Sequence, residues 1–127
     1  MLDRDSFIAS LIDWIPEIKD EILDEDYSFS IGLQLGCFKR FTQSAIDRND
    51  MVLIKRCFSF LDSVIDRVTD DVENSLYISY LNHLDFSKNE KARKYASERV
   101  LKAIEELNSY NKTESNEKAK QFLKGLE

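Results

Sequence analysis

The sequence predicts an all-α fold, and three observations support that prediction. Gly occurs three times and Pro once in 127 residues, which leaves little of the turn chemistry that a many-stranded sheet requires. Apolar residues recur with a helical period along most of the chain. The length suits one domain that buries roughly two-thirds of its unfolded surface. We therefore expect a single compact domain over residues 1–127, with about six to seven helices in antiparallel hairpins and residues 108–127 as a loosely packed C-terminal extension.

The central helix is predicted over residues 32–48. On a helical wheel its apolar side chains cover most of the circumference, so neighbours are expected on several sides. Ser28 or Ser30 is placed to cap it. Gly32 and Gly36, one turn apart, would let another helix approach closely. The apolar positions of this helix are Leu33, Leu35, Cys37, Phe38, Phe41, Ala45 and Ile46.

A second helix over residues 51–68 has the most regular period in the chain. Asp50 is its predicted cap, after a turn at Asn49. The short connection makes it antiparallel to the central helix, which predicts a helical hairpin. Its single apolar stripe consists of Ile54, Cys57, Phe58, Leu61, Val64, Ile65 and Val68.

Other helices flank this hairpin. One is predicted over residues 6–14, capped by Asp3 or Asp5 and ended by Pro16. Another is predicted over residues 72–84, where Tyr77 and Tyr80 each need a polar partner for the hydroxyl. A long helix is expected to start at Ser87 or Asn89 and to reach residue 107. Small or apolar side chains follow one of its sides, namely Ala92, Ala96, Val100, Ala103 and Leu107.

Residues 17–26, which we call the acidic segment, carry the most informative pattern. Carboxylates recur there every three or four residues, which would align them on one face of a helix. Because like charges at this spacing repel, the arrangement costs stability. A solvated face explains the pattern, and so does a docking surface for a cationic partner. The carboxylates are Glu17, Asp20, Glu21 and Asp24, extended by Glu25 and Asp26.

The net charge of −6 is distributed unevenly. Residues 1–26 carry nine acidic and two basic side chains, whereas residues 88–127 carry seven acidic and ten basic ones. Residues 1–26 lack the clustered Lys and Arg that bind phosphates, which disfavours direct nucleic-acid binding. A basic protein partner is expected instead.

Several functional classes are disfavoured by composition. No segment approaches the ~20 apolar residues of a membrane span, and Asp13 interrupts the apolar run near the amino terminus, unlike in a secretory signal. Cys37 and Cys57 fall on apolar helix faces, as buried thiols do in a reducing compartment. His83 is the only histidine and has no neighbour at metal-ligand spacing. We expect a cytoplasmic protein without metal or cofactor.

Three central segments, residues 32–47, 56–66 and 72–86, together resemble a family of small helical bacterial proteins. Some members look like immunity proteins of contact-dependent growth inhibition and related polymorphic toxin systems. The resemblance covers residues 28–86 and rests mostly on core positions, so it brings no catalytic residues with it. It implies a non-enzymatic protein that binds and neutralises a cognate toxin domain.

Charge and resemblance together favour an immunity protein whose acidic surface covers the basic cleft of a toxin, expected to be a nuclease. Complementary charge would also speed the encounter. The expected partner contacts are Glu17, Asp20, Glu21, Asp24, Glu25 and Asp26, with Asp62 and Asp66 as weaker candidates.

Two alternatives stay open. A helical adaptor would bind a peptide or protein in an exposed apolar groove near Tyr77 and Tyr80. A Mg²⁺-dependent all-α nucleotide pyrophosphohydrolase would use paired acids such as Glu17-x-x-Asp20. That chemistry needs carboxylates from more than one helix converging in a cleft, whereas a single outward row is predicted here, so the sequence favours a non-enzyme.

Overall fold

The structure is a computed structural model that describes residues 1–107. Its helices confirm the predicted all-α class. The predicted C-terminal extension, residues 108–127, lies outside the described residues. The helices are α1 (Arg4–Trp14), α2 (Lys19–Ile22), α3 (Ile31–Arg48), α4 (Met51–Val64), α5 (Asp70–Ser79) and α6 (98–107), with 3₁₀ turns at Pro16–Ile18, Leu81–His83 and Glu90–Tyr95.

Helix α3 is central, as predicted. It packs against α4, α5, α2 and the Pro16–Ile18 turn. Ser30 caps its start, because the Ser30 hydroxyl accepts a hydrogen bond from the Leu33 amide. A Cβ atom added to Gly32 would lie 3.3 Å from the Ser79 hydroxyl, so glycine permits the close approach of the end of α5.

The α3–α4 hairpin forms as expected. Asn49 ends α3 in the left-handed conformation, with φ of 54°, which Asn tolerates better than most residues. Asp50 then caps α4 by accepting from the Leu53 amide. Every residue of the predicted apolar stripe of this second helix is buried, including Ile65 and Val68 beyond the end of α4.

Aromatic side chains dominate the centre of the core. Phe38 on α3 stacks on Tyr80 with ring centroids 4.4 Å apart, and its other neighbour Phe60 lies edge-on at 5.7 Å. Phe7 on α1 contacts Phe60 at the same separation. These contacts join α1, α3, α4 and the end of α5 around one apolar cluster.

Two predicted helix ends and one predicted burial are wrong. Helix α4 stops at Val64, and residues 67–69 instead pair with the amino terminus, where the Leu2 amide donates to the Arg67 carbonyl at 2.6 Å. Helix α5 stops at Ser79 because Tyr80 leaves helical geometry, with φ of −122° and ψ of −71°. Leu33, predicted to be apolar and covered, is 40% exposed near the start of α3.

The predicted long helix near the end of the described chain is also wrong. Its first part is the 3₁₀ turn Glu90–Tyr95, and Ala96 is extended with ψ of 144°. The hydroxyl of Ser97 then accepts from the Val100 amide at 3.2 Å and so caps α6. The predicted small-residue side is nevertheless buried at Ala92, Ala96, Val100 and Ala103, because both pieces keep the same side against the core.

Candidate protein-docking surface

The acidic segment is less helical than its sequence pattern predicts. A 3₁₀ turn covers Pro16–Ile18, the helix α2 has only four residues, and turns follow up to residue 29. The helix expected to align Glu17, Asp20, Glu21 and Asp24 on one face is therefore wrong beyond Ile22. Like-charge repulsion, and carboxylates near a helix carboxyl end, both oppose a longer helix here.

Two buried isoleucines fix this segment to the body of the protein. Ile18 and Ile22 are both in the core. Gln34 of α3, only 3% exposed, donates from its side-chain amide to the Ile22 carbonyl at 3.2 Å. This bond satisfies one of the carbonyls that the early end of α2 leaves without a helical partner.

Two arginines of the central hairpin hold two carboxylates of the segment. Arg56 of α4 lies 2.7 Å from Glu17, and Arg40 of α3 pairs with Glu21. The hydrogen bond from each arginine lowers the pKa of its glutamate. Arg40 also lies over the ring of Tyr27, 5.7 Å from its centroid. Glu17 and Glu21, two of the expected partner contacts, are therefore already paired with arginines of the chain itself.

Four carboxylates of the acidic segment keep their charge facing solvent. Their side chains are exposed and have no Lys or Arg within salt-bridge distance in the described part of the chain. One carboxylate oxygen of Asp24 accepts from the Asp26 amide at 2.9 Å, which shapes the turn after α2. We call this set the free carboxylates: Asp20, Asp24, Glu25 and Asp26.

The two weaker candidates do not belong to the segment. Asp62 lies on the exposed side of α4 and has no cation within salt-bridge distance among residues 1–107. Asp66 follows α4 and accepts from Arg99 at 3.0 Å. Arg99 also donates to the hydroxyl of Tyr77 at 3.3 Å. Asp66 thus ties α6 to the body of the protein, an internal role that sequence did not predict.

Among residues 1–107, Tyr77 and Tyr80 do not line the apolar groove that the adaptor alternative expects. Tyr80 is fully buried, and its hydroxyl donates to Thr42 at 2.8 Å. Tyr77 is half-buried against the core beneath Arg99. Both hydroxyls have the polar partner that was predicted, but neither ring lines an open surface.

A cleft lies elsewhere, between α1 and the chain that follows α2. Its volume is about 310 Å³, and its walls combine apolar side chains with a few polar groups. Arg4 donates to the carbonyls of Ser28 and Phe29 and to the Gln34 side chain, so it joins the two walls. The lining residues are Arg4, Asp5, Ile8, Ala9, Ile12, Leu23, Ser28 and Gln34.

Within residues 1–107, no group of three or more His, Cys, Asp and Glu side chains is arranged to hold a metal ion. The paired acids Glu17 and Glu21 point instead at arginines. None of the helices in this same part of the chain combines the length and the apolar character needed to cross a membrane.

Comparison with protein families matches residues 8–120 to a domain of unknown function (DUF7674). The chain belongs to the DUF7674 family. The match includes the acidic segment and the helices from α2 to α6, together with the part of α1 from residue 8 onward. Arg4 and Asp5 of the cleft precede it. No curated protein and no solved structure matches the chain.

Sequence reasoning missed three features of this DUF7674 member. The roles of Arg40 and Arg56 depend on which helix faces pack beside the acidic segment, and spacing along one helix does not contain that information. One feature of the sequence pointed to the cleft, because Leu23 is an apolar residue within a run of acidic residues. In the structure it is 50% exposed. No such feature pointed to Arg4, because its acceptors are backbone carbonyls far along the chain.

Proposed function

We propose that this DUF7674 protein is a binding protein that neutralises a cationic toxin domain, as an immunity protein does, and that it docks through the free carboxylates. One observation carries the proposal. The free carboxylates are exposed and unneutralised on a segment whose buried isoleucines and arginine pairs hold it in place. A fixed anionic surface loses little conformational entropy on binding, which favours tight association with a basic surface.

The internal pairs refine which residues are expected to touch the partner. Glu17 and Glu21 act mainly as braces, since each already has an arginine. Asp20, Asp24, Glu25 and Asp26 supply the charge that a basic cleft would otherwise receive from phosphates. Exposed apolar side chains beside them, Leu23 and Phe29, add the apolar contact area that protein interfaces combine with charge.

Residues 28–86 resemble a family of small helical bacterial proteins, some of which look like immunity proteins, and this resemblance supplies the biological context of the proposal. The charge distribution supplies the mechanism. A nuclease toxin needs a basic cleft for its substrate, so an anionic protein can occupy that cleft and block it. Electrostatic attraction would raise the association rate, which matters when a toxin must be captured before it acts.

Co-expression with the product of the adjacent upstream gene, as the candidate toxin domain, tests this function. We expect the full chain to restore growth and to co-purify with that domain as a stable complex. Reversal of Asp24 and Glu25 to Lys should abolish both effects, whereas reversal of Glu105 and Glu106 on α6 makes the same change in net charge and should preserve them. Growth inhibition that persists with no complex formed would contradict the proposal.

A further inference from the structure

The cleft between α1 and the chain after α2 is an open, partly apolar site beside the free carboxylates. Ile8, Ala9 and Ile12 form the α1 wall, and Leu23 forms the opposite wall. Leu23 directly precedes Asp24, so the apolar wall and the first carboxylate of the turn are adjacent in the chain. An apolar surface and a carboxylate therefore lie side by side.

The two charged side chains of the cleft, Arg4 and Asp5, differ in whether they already have partners. Within residues 1–107, Arg4 is the only basic side chain that lines the cleft. Its guanidinium donates to two backbone carbonyls and to Gln34. The hydrogen-bond donors of Arg4 are thus already used within the chain. Asp5, the one carboxylate in the lining, is exposed and has no Lys or Arg within salt-bridge distance among residues 1–107. Arg4 is thus engaged within the chain while Asp5 is not paired, and Asp24 directly follows Leu23 of the opposite wall, so the charge left available beside the cleft is negative.

Both walls of the cleft are fixed by contacts with the core, unlike the walls of a gap between flexible loops. Ile8 and the neighbouring Leu11 belong to the buried core. On the other side, Gln34 fixes the carbonyl of Ile22, one residue before Leu23. A preformed apolar pocket with negative charge beside it suits a side chain that is apolar and is flanked by cationic residues.

We infer that the cleft is an anchor pocket that takes one large apolar side chain of a cationic partner, while Lys or Arg residues beside that side chain reach Asp5 and Asp24. The inference rests on the proposed function and adds to it the chemistry of the partner's docking motif. Interfaces concentrate binding energy in a few buried anchors of this kind, and the surrounding charges mainly orient the approach.

Two short peptides probe the pocket directly. One is built of Lys and Ala with a single central Phe, and its twin has Ala in place of that Phe. Both carry the same charge, so only the pocket distinguishes them. With the full chain at low salt, we expect the Phe peptide to bind about tenfold or more tightly and to shift the amide resonances of Ile8, Ile12 and Leu23.

Filling the pocket should remove that preference. Ala9→Trp places a large ring in the cleft from an exposed position of α1, whereas Val52→Trp adds the same ring to an exposed position of α4 that does not line the cleft. Ala9→Trp is expected to make the two peptides bind equally, and Val52→Trp to change nothing. Leu23→Ser, which removes a wall without filling the space, should also lower the preference, and thermal melting verifies that each variant is folded.

Several results would overturn the inference. Equal binding of both peptides, with shifts confined to residues 20–26, would leave charge-driven docking intact and remove the pocket. Concentration-dependent shifts of the cleft amides without peptide would assign the cleft to a second copy of the chain. If neither peptide binds, the pocket inference fails, and the toxin co-expression experiment still judges the proposed function separately.

Discussion

Nη1 of Arg56 lies 2.7 Å from both carboxylate oxygens of Glu17, thirty-nine positions apart in the chain. The contact joins the start of the acidic segment to the middle of α4. An ion pair with the glutamate side chain 41% exposed contributes modestly to stability, so its main effect is on the placement of the segment.

Glu17→Gln should lower the free energy of unfolding at neutral pH by about 0.2–1 kcal/mol. Arg56 holds the pKa of Glu17 below its ordinary value of 4.5. The stabilisation is therefore fully present above about pH 4.5 and is lost as the pH falls through the lowered pKa. Urea melts over this range should show a flatter pH dependence in Glu17→Gln. Asp20→Asn, which removes no ion pair, serves as the control, and equal losses in both variants would contradict the brace.

Loss of the Tyr80 hydroxyl should cost less than loss of its acceptor. Thr42 accepts from Tyr80 and donates to the Phe38 carbonyl at 3.0 Å. Tyr80→Phe removes one hydrogen bond, at about 0.5–1.5 kcal/mol. Thr42→Val leaves the buried Tyr80 hydroxyl without a partner and should cost about 1–3 kcal/mol. Chemical denaturation of both variants measures the order, and a larger loss in Tyr80→Phe would contradict this network.

Both cysteines should be inert in the folded protein. Burial raises the pKa of Cys37 and of Cys57 to about 11, so the reactive thiolate is scarce at pH 8. A thiol reagent at that pH is expected to label neither residue until denaturant unfolds the chain, when both should react. Rapid labelling of either cysteine under native conditions would contradict this burial.

Arg4 should control the mobility of the chain between α2 and α3. Its guanidinium donates to the carbonyls of Ser28 and Phe29, and Arg4→Gln is too short to replace both bonds. We expect faster amide exchange at residues 27–30 with little change in α4. Arg48→Gln, whose bonds stay within α3, is the matched control. Unchanged exchange at residues 27–30 would exclude the bracing role.

Local patterns predicted the helices well where burial follows one periodic stripe. All seven stripe positions of the second predicted helix are buried, and the caps at Ser30 and Asp50 form as expected. The same reasoning missed Phe60, which is fully buried on another side of α4. A single stripe does not reveal how far neighbouring helices wrap around a central one.

The ends of the helices, and whether each carboxylate is paired with an arginine, were harder to predict from the sequence. The break at Ala96 depends on Ser97, whose hydroxyl caps a new helix. A Ser in the interior of one continuous helix was the competing conformation, and the sequence does not decide between the two. The repulsion within the acidic segment was visible in the sequence and agrees with the short α2. The arginines that relieve it at Glu17 and Glu21 come from α3 and α4, so their position depends on tertiary packing.

The central claim is that free carboxylates on a braced segment recruit a cationic protein. Its most direct test is the association rate of the full chain with the product of the adjacent upstream gene, measured by stopped flow at low salt. Asp24→Lys with Glu25→Lys should slow association about tenfold or more, while Glu105→Lys with Glu106→Lys should leave it nearly unchanged. Equal rates in the two double variants would contradict docking through the acidic segment.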